Sequence, residues 1–522
     1  MINLGWGILF VLLGLRGAAS QAAANPFEGT SAVVVSSKID ELVLARQGSL
    51  GIPASPLCSD AVFLRRVYLD AIGTLPTAEE AAAFLESTEP DRRARLVDRL
   101  LARPEFADYA ALKWCDVLRV KSEFPINLWP NAVQAYDRWI RAAFRSELPF
   151  DRFVRELLTA SGSNFRVPPV NFYRAVQGRD PRTIARAVAL TFLGERAEAW
   201  PPEKLAGLAA FFAKVGYKGT GEWKEEIVFF DPAKPVPADL AKPIFPDGKP
   251  AAPGPEADPR TVFADWLASP DNAAFARAVV NRIWSWLLGR GVIHEPDDMR
   301  PDNPPAIPGL LEYLGRALVA SHYDLKAIYR LILDSKTYQL SSRPASDRPE
   351  RAACFACYAP RRLEAEVLID AIDQITGATE RYASAIPEPY TFIPDDHRTI
   401  TLPDASITSA FLELFGRSPR DKGLEAERNL KPSAEQRLHL LNSSHILNKI
   451  QQSPKLRTLL AEKSEPLDKV RKIYLIVLSR PPTADELRTV AEYFKPLTGN
   501  KLSGVVDLVW ALVNSPEFVY RH

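Results

Sequence analysis

The sequence predicts a mainly α-helical protein of two modules with few short strands, and three observations carry that expectation. Almost every periodic segment repeats its apolar residues at helical spacing. Glycine or proline stands at the ends of those segments. One stretch, residues 231–259, holds too many prolines to pack as helix or sheet.

In "DAVFLRRVYLDAIG" the apolar positions Val62, Val67, Leu69 and Ile72 mix with charged ones. "RRLEAEVLIDAIDQITG" gives a cleaner stripe through Leu363, Val367, Leu368, Ala371 and Ile372, and its helix is expected to open at Arg361 and Arg362, just after Pro360. Glu364 and Glu366 then lie three and four residues on, in pairing range of the two arginines. "EEIVFF" at 225–230 is the best strand, with "RTITL" at 398–402 a second. The Pro-rich stretch is a linker or an extended strap, dividing an N-terminal module (27–230) from a C-terminal one (260–522).

The two ends echo each other. "VYLDAIGTLPTAEE" (67–80) and "IYLIVLSRPPTADE" (473–486) each place a threonine three residues before a glutamate, the spacing of a capping box. "RPEF" (103–106) and "SPEF" (515–518) each put proline at a first helical position. These are signals of helix punctuation rather than of chemistry.

An apolar run from Leu4 to Leu15, followed by Ala22 and Ala24, reads as a secretory signal over residues 1–24, although no Lys or Arg precedes it. The run is shorter than the ~20 residues a transmembrane helix needs, so no membrane span is expected. The expected location is the periplasm or the extracellular space. A net charge of +1, with both signs interspersed, argues against a nucleic-acid partner.

Export would place the four cysteines (Cys58, Cys115, Cys354, Cys357) in a disulfide-permissive compartment. The close pair in "ACFACYAPRR" is expected to be a local Cys354–Cys357 disulfide or two packed thiols. Tyr358 stands where a haem-attachment motif needs histidine, and no second pair completes a zinc site.

Local spacing offers little else. No metal site is expected: His439 and His445 are six apart and would point about 120° from each other on one helix. His294 with Asp297 and Asp298 reads as a solvated turn. There is no nucleophile elbow or Walker loop, and "GYKGTGEW" (216–223) reads as a flexible turn. No catalytic residue is assigned. Trp284 and Trp286 sit in a helical stripe, where core packing is the default. Arg282 falls within about 20° of the stripe through Phe275, so it needs a carboxylate or an anionic ligand in front of it; a structural ion pair is the expected answer.

Several segments together resemble a known family. They are "FLRRVYLDAIGTLPTAEEAAAFL", "DRRARLVDRLLARPEFADY" and "ARAVALTFLG", then "FADWLASPDNAAFARAVVNRIWSWLLGRGVIHEPDDMRPDNPP", "YDLKAIYRLILDSKTYQLSS", "YAPRRLEAEVLIDAI" and "LHLLNS". The family is exported and bacterial, and joins a planctomycete cytochrome-type N-terminal domain to a planctomycete-specific C-terminal domain, both of unknown function. Its members commonly carry Cys-x-x-Cys-His just after the "FLG" segment. Here the chain runs from Gly194 to Trp200 without cysteine or histidine, and all six histidines lie at 294 or later. "DKGLEAERNLKPS" also lacks the cysteines that related chains often show there. No haem, and no cofactor of any kind, is expected.

The resemblance also motivates a shared polar pocket in the C-terminal module, formed by Asn281, Arg282, Arg361, Arg362, His439 and Asn442. The function expected is binding or scaffolding, with another exported protein or an extracellular polymer as partner. The alternative is a hydrolase acting on exported polysaccharide, with its site in the C-terminal module. Electron transfer, which the family's name suggests, is contradicted by the missing motif.

Overall fold

The computed structural model describes residues 25–29, 33–240, 242–254, 256–393, 395–496 and 501–522; the expected export signal at 1–24 lies outside them. Among the described residues the chain is mainly α-helical, with five short strands in two sheets. No helix among them is long and apolar enough to cross a membrane.

Helix boundaries follow the local signals. Both expected capping boxes form, Thr77 with Glu80 and Thr483 with Glu486, and Ser433 with Gln436 makes another. Pro104 and Pro516 each open a helix, where a missing N–H costs nothing. Of the two expected strands, Glu226–Phe230 forms the middle of a three-stranded antiparallel sheet, between Gly162–Ser163 and Val215–Gly219. The stretch 398–402 does not form a strand. Thr399 and Ile400 donate their N–H groups to the Asp370 carboxylate (2.7 and 3.1 Å), so Thr399–Thr401 closes into a 3-10 turn instead.

The apolar core is in two parts. The first runs from Ile39 to Tyr358; the second gathers residues 363–519 together with Leu69, Leu75, Tyr109 and Leu112. The chain thus passes from one core to the other between Tyr358 and Leu363, not across the Pro-rich stretch. That stretch is held as a strap: Phe245 stacks on Phe211 and Trp266, each at 5.1 Å, and the Ile244 N–H donates to Gly207 O. Gly207 is required here, since a Cβ would sit 2.8 Å from Ile244 Cβ.

Two helices form the seam. Asp60–Ala71 sends Phe63 and Val67 into the first core and Leu69 into the second; Pro104–Val117 sends Trp114 one way and Tyr109 and Leu112 the other. A second, two-stranded sheet closes the seam by pairing Arg361–Arg362 with Tyr520–Arg521, antiparallel.

That sheet corrects the expected helix start. The helix is Ala365–Thr376, because the backbone of Arg361 and Arg362 is held by the C-terminus. The local pairs do not form either. Arg361 bonds Asp70 (2.7 Å), Glu364 meets Lys113 and Arg521 (2.6 and 2.5 Å), and Glu366 meets Arg428 (2.6 Å).

All four cysteines are free thiols, so the Cys354–Cys357 disulfide expected as one alternative is absent. Cys354 is buried and its Sγ–H points to Arg351 O at 3.6 Å, while Cys357 stays half-buried. Burial raises both thiols above their ordinary pKa.

Candidate functional sites

The seam opens into a cavity of about 730 Å³ whose lining includes Lys113, Trp286, Arg361, Arg362, Glu364 and Glu425. The Pro104–Val117 helix brings Lys113 to Glu364 (2.6 Å), both buried. The Ala273–Leu288 helix brings Trp286, whose Nε1–H donates to Glu425 Oε2 at 2.9 Å. Burial pushes the Glu425 carboxyl up, although Lys113 opposes the shift. Arg361 Nη2 donates to Asp70 and to the carbonyls of Trp286 and Leu287 (2.7, 2.9 and 2.9 Å). Arg362 Nη2 donates to Phe415 O and Asn429 O at 2.7 and 2.8 Å. Arg361 Nη1 and Arg362 Nε have no hydrogen-bond partner and are themselves buried.

Arg361 and Arg362 are therefore brought together at one cavity; the other expected site residues lie elsewhere. Asn281 is fully buried, with its amide bonded to both Ile293 N and Ile293 O (3.1 and 2.9 Å). Arg282 forms a buried ion pair with Asp297 at 2.8 Å and donates to Leu190 O. His439 lines a different cavity, and Asn442 is exposed at the end of its helix and lines neither of the two.

The second cavity, about 710 Å³, carries an arrangement that local spacing did not predict. His439 and His445 do not share a helix. One helix ends at Asn442, and Ser443 caps the next, Ser444–Gln451. That break turns the two rings toward each other, with His439 Nε2 3.4 Å from His445 Nδ1. His445 Nε2 lies 2.9 Å from Glu380 Oε2, and Lys449 Nζ holds the same carboxylate at 3.1 Å. Burial raises the Glu380 carboxyl, but His445 and Lys449 outweigh it and hold the group below its ordinary value. Burial, then the charge of His445, lowers His439. The sequence signal that would have found this pair is "NSS", whose second serine position starts a new helix.

A third feature lies on the surface. Trp223 at the turn of the Val215–Phe230 hairpin is 70% exposed, and Tyr390 and Phe392 are 51% and 68% exposed. Trp129 joins them, its ring centroid 6.5 Å from Trp223 and 5.4 Å from Tyr390. Lys224 stands over both tryptophan rings at 5.6 and 5.3 Å. The Trp129 loop is anchored, since the Ser122 and Glu123 N–H groups donate to Asp404 Oδ1 and Ser406 Oγ (3.0 and 3.1 Å). The stretch 216–223 is thus part strand and part hairpin turn, not a turn throughout.

The order of these segments is that of two described families. PSCyt2, "Protein of unknown function (DUF1549)", matches residues 38–198, and PSD1, "Protein of unknown function (DUF1553)", matches residues 259–494. The chain belongs to the planctomycete PSCyt2–PSD1 two-domain family. No curated protein and no solved structure matches the chain.

The haem that the cytochrome-type resemblance implies finds no fit in this PSCyt2–PSD1 chain. At Gly194, after which the resemblance places the haem motif, Pro296 and Met299 pack against the chain. Met299 N–H donates to Gly194 O at 2.9 Å, and a Cβ on Gly194 would lie 2.8 Å from Pro296 O. Cys115, the nearest sequence candidate, is buried with its Sγ 3.7 Å from Asp137 Oδ1. Among the described residues no group of three or more His, Cys, Asp or Glu is placed to hold a metal. The purified protein is expected to show no Soret band in its visible spectrum before or after haem is added; a band that survives gel filtration would contradict this reading.

Proposed function

We propose that this PSCyt2–PSD1 protein is an exported binding protein whose partner is an extracellular polysaccharide. The observation that carries the reading is the aromatic surface on which exposed Trp223 and Tyr390 flank half-buried Trp129. Solvent-facing aromatic rings drawn from separate segments are costly to hold in water unless a partner covers them. A sugar ring offers an apolar C–H face of partial positive charge that packs on the electron-rich face of an aromatic ring. Lys224 orders two of these rings and adds a cation at the edge.

The test is affinity electrophoresis of the protein through gels containing neutral or acidic soluble polysaccharides. Retardation is expected, and the Trp223→Ala, Tyr390→Ala double variant is expected to lose at least tenfold in apparent affinity, about 1.4 kcal/mol. Unretarded migration in every gel, together with stable capture of a second protein by the same aromatic surface, would replace this reading with a protein scaffold. The hydrolase alternative needs an acid–base group facing a cavity, and His439 supplies the observation in its favour.

A further inference from the structure

The His439–His445–Glu380 cluster lies outside the aromatic surface and outside the arginine-lined cavity, and polymer binding does not use it. We propose that it is a catalytic proton relay in which His439 acts as general base for the hydrolysis of a carboxylic ester by water. This inference is independent of the polymer-binding reading.

The tautomers follow from the partners. An ionised carboxylate only accepts, so His445 carries its proton on Nε2 and donates to Glu380 Oε2 at 2.9 Å. His445 Nδ1 then holds a lone pair and accepts from His439 Nε2–H at 3.4 Å. His439 Nδ1 is left as the free base of the chain. Glu380 stays ionised because Lys449 pairs with it at 3.1 Å, and Lys449 is itself fixed by Asp373 and by Thr379 O, each at 2.7 Å. Phe411 stands edge-on to both imidazoles, with centroids 5.7 and 5.9 Å away, and fixes their planes. A histidine pair serving only to satisfy buried polar atoms would be sealed from water. Here the His445 side chain is 32% exposed and both rings line a cavity of about 710 Å³.

The chemistry balances with water as the only co-reactant. His439 Nδ1 takes a proton from water as the water oxygen bonds to the ester carbonyl carbon, and the carbonyl π pair moves onto its oxygen. Collapse of the tetrahedral adduct breaks the carbon–alkoxide bond. The departing alkoxide takes the proton back from His439, leaving a carboxylic acid, an alcohol and a neutral imidazole. During the step the positive charge on His439 faces His445, which the Glu380 carboxylate polarises. Arg381, Asn448 and Gln452 share the lining and supply donors for the oxyanion.

Other reaction classes fit less well. Glycoside hydrolysis calls for two carboxyl groups set apart across the scissile bond. Glu380, the carboxylate in this lining, is already bonded to His445 and Lys449. Phosphoryl transfer asks for a clamp of several cations; Lys449 is paired, which leaves Arg381.

The test uses the full chain and p-nitrophenyl acetate. Wild type is expected to turn over the ester with kcat/KM rising to a plateau along one acid limb set below pH 6.5, since burial, the larger cause, lowers His439. The groups facing it are His445, Glu380, Lys449 with its partner Asp373, and Arg381. His439→Gln, folded by circular dichroism, should lose roughly 100-fold or more in kcat/KM. Glu380→Gln removes a negative charge that stabilises the imidazolium, so its acid limb should move to lower pH with a smaller loss of rate. If His439→Gln matches wild type, or if Glu380→Gln leaves the acid limb where it was, the relay is overturned.

Discussion

Replacing Glu364 by alanine is expected to destabilise the protein by about 3–5 kcal/mol, more than any other single change at the seam. Glu364 is a buried carboxylate between Lys113 (2.6 Å) and Arg521 (2.5 Å), and Tyr109 OH donates to it at 3.2 Å. Burial alone would raise its pKa; Arg521 and Lys113 reverse that and hold it well below the carboxylate range. Removing it strips buried Lys113 of its ion-pair carboxylate and leaves Arg521 on Asp70, which already pairs with Arg361. Removing Arg521 instead leaves one partner for each carboxylate: Arg361 on Asp70 and Lys113 on Glu364. Glu364→Ala should therefore exceed Arg521→Leu in urea denaturation. The double variant Glu364→Leu, Lys113→Met should recover part of the loss, since no lone ammonium remains. A reversed order of the two single variants would show that charge balance does not govern the seam.

The seam also marks the limit of what the sequence conveys. Helix ends were legible because their causes are local: Thr77 finds Glu80 three residues away, and Pro104 needs no partner at all. The start of the Ala365–Thr376 helix was not legible, because what holds Arg361 and Arg362 out of it is Tyr520–Arg521, more than 150 residues on in the chain. The pairing of Arg282 was legible as a need for a carboxylate on an apolar stripe, but its partner Asp297 looked like part of a solvated turn. Periodicity reports which side of a helix is apolar; it carries no information on which distant segment covers that side. The candidate sites suffered most. The aromatic surface combines residues 129, 223 and 390, and the two histidines meet through a helix break rather than a helix face.

A second large effect is expected from acid. Glu366 is fully buried and accepts two bonds from Arg428 (2.6 and 3.0 Å), with Arg417 Nε at 3.4 Å. Burial raises its pKa, but Arg428 and Arg417 win and lower it from 4.5 to about 2. A carboxylate depressed in the folded state contributes stability that is complete above its unfolded pKa and is lost as pH falls through the folded one. For Glu366 that window runs from about 4.5 down to about 2, and the contribution is about 3 kcal/mol. Glu366→Gln should thus be less stable than wild type by about that amount at pH 7, with the gap closing as pH approaches 2. Asp334 acts in the opposite sense. Burial, then Asp98, raises it from 3.8 to about 6, so its folded state favours the protonated form. Stability linked to Asp334 is present below pH 3.8 and lost as pH rises through about 6. Asp334→Asn should accordingly be more stable than wild type at pH 7 and indistinguishable from it below about pH 4. Urea midpoints of the two variants, followed from pH 7 to pH 3, should diverge from wild type in opposite directions at neutral pH, the Asp334→Asn difference vanishing and that of Glu366→Gln shrinking. A Glu366→Gln deficit that stays constant with pH would mean that Arg428 is held by Asp116 alone and that the Glu366 pair adds no charge-dependent stability.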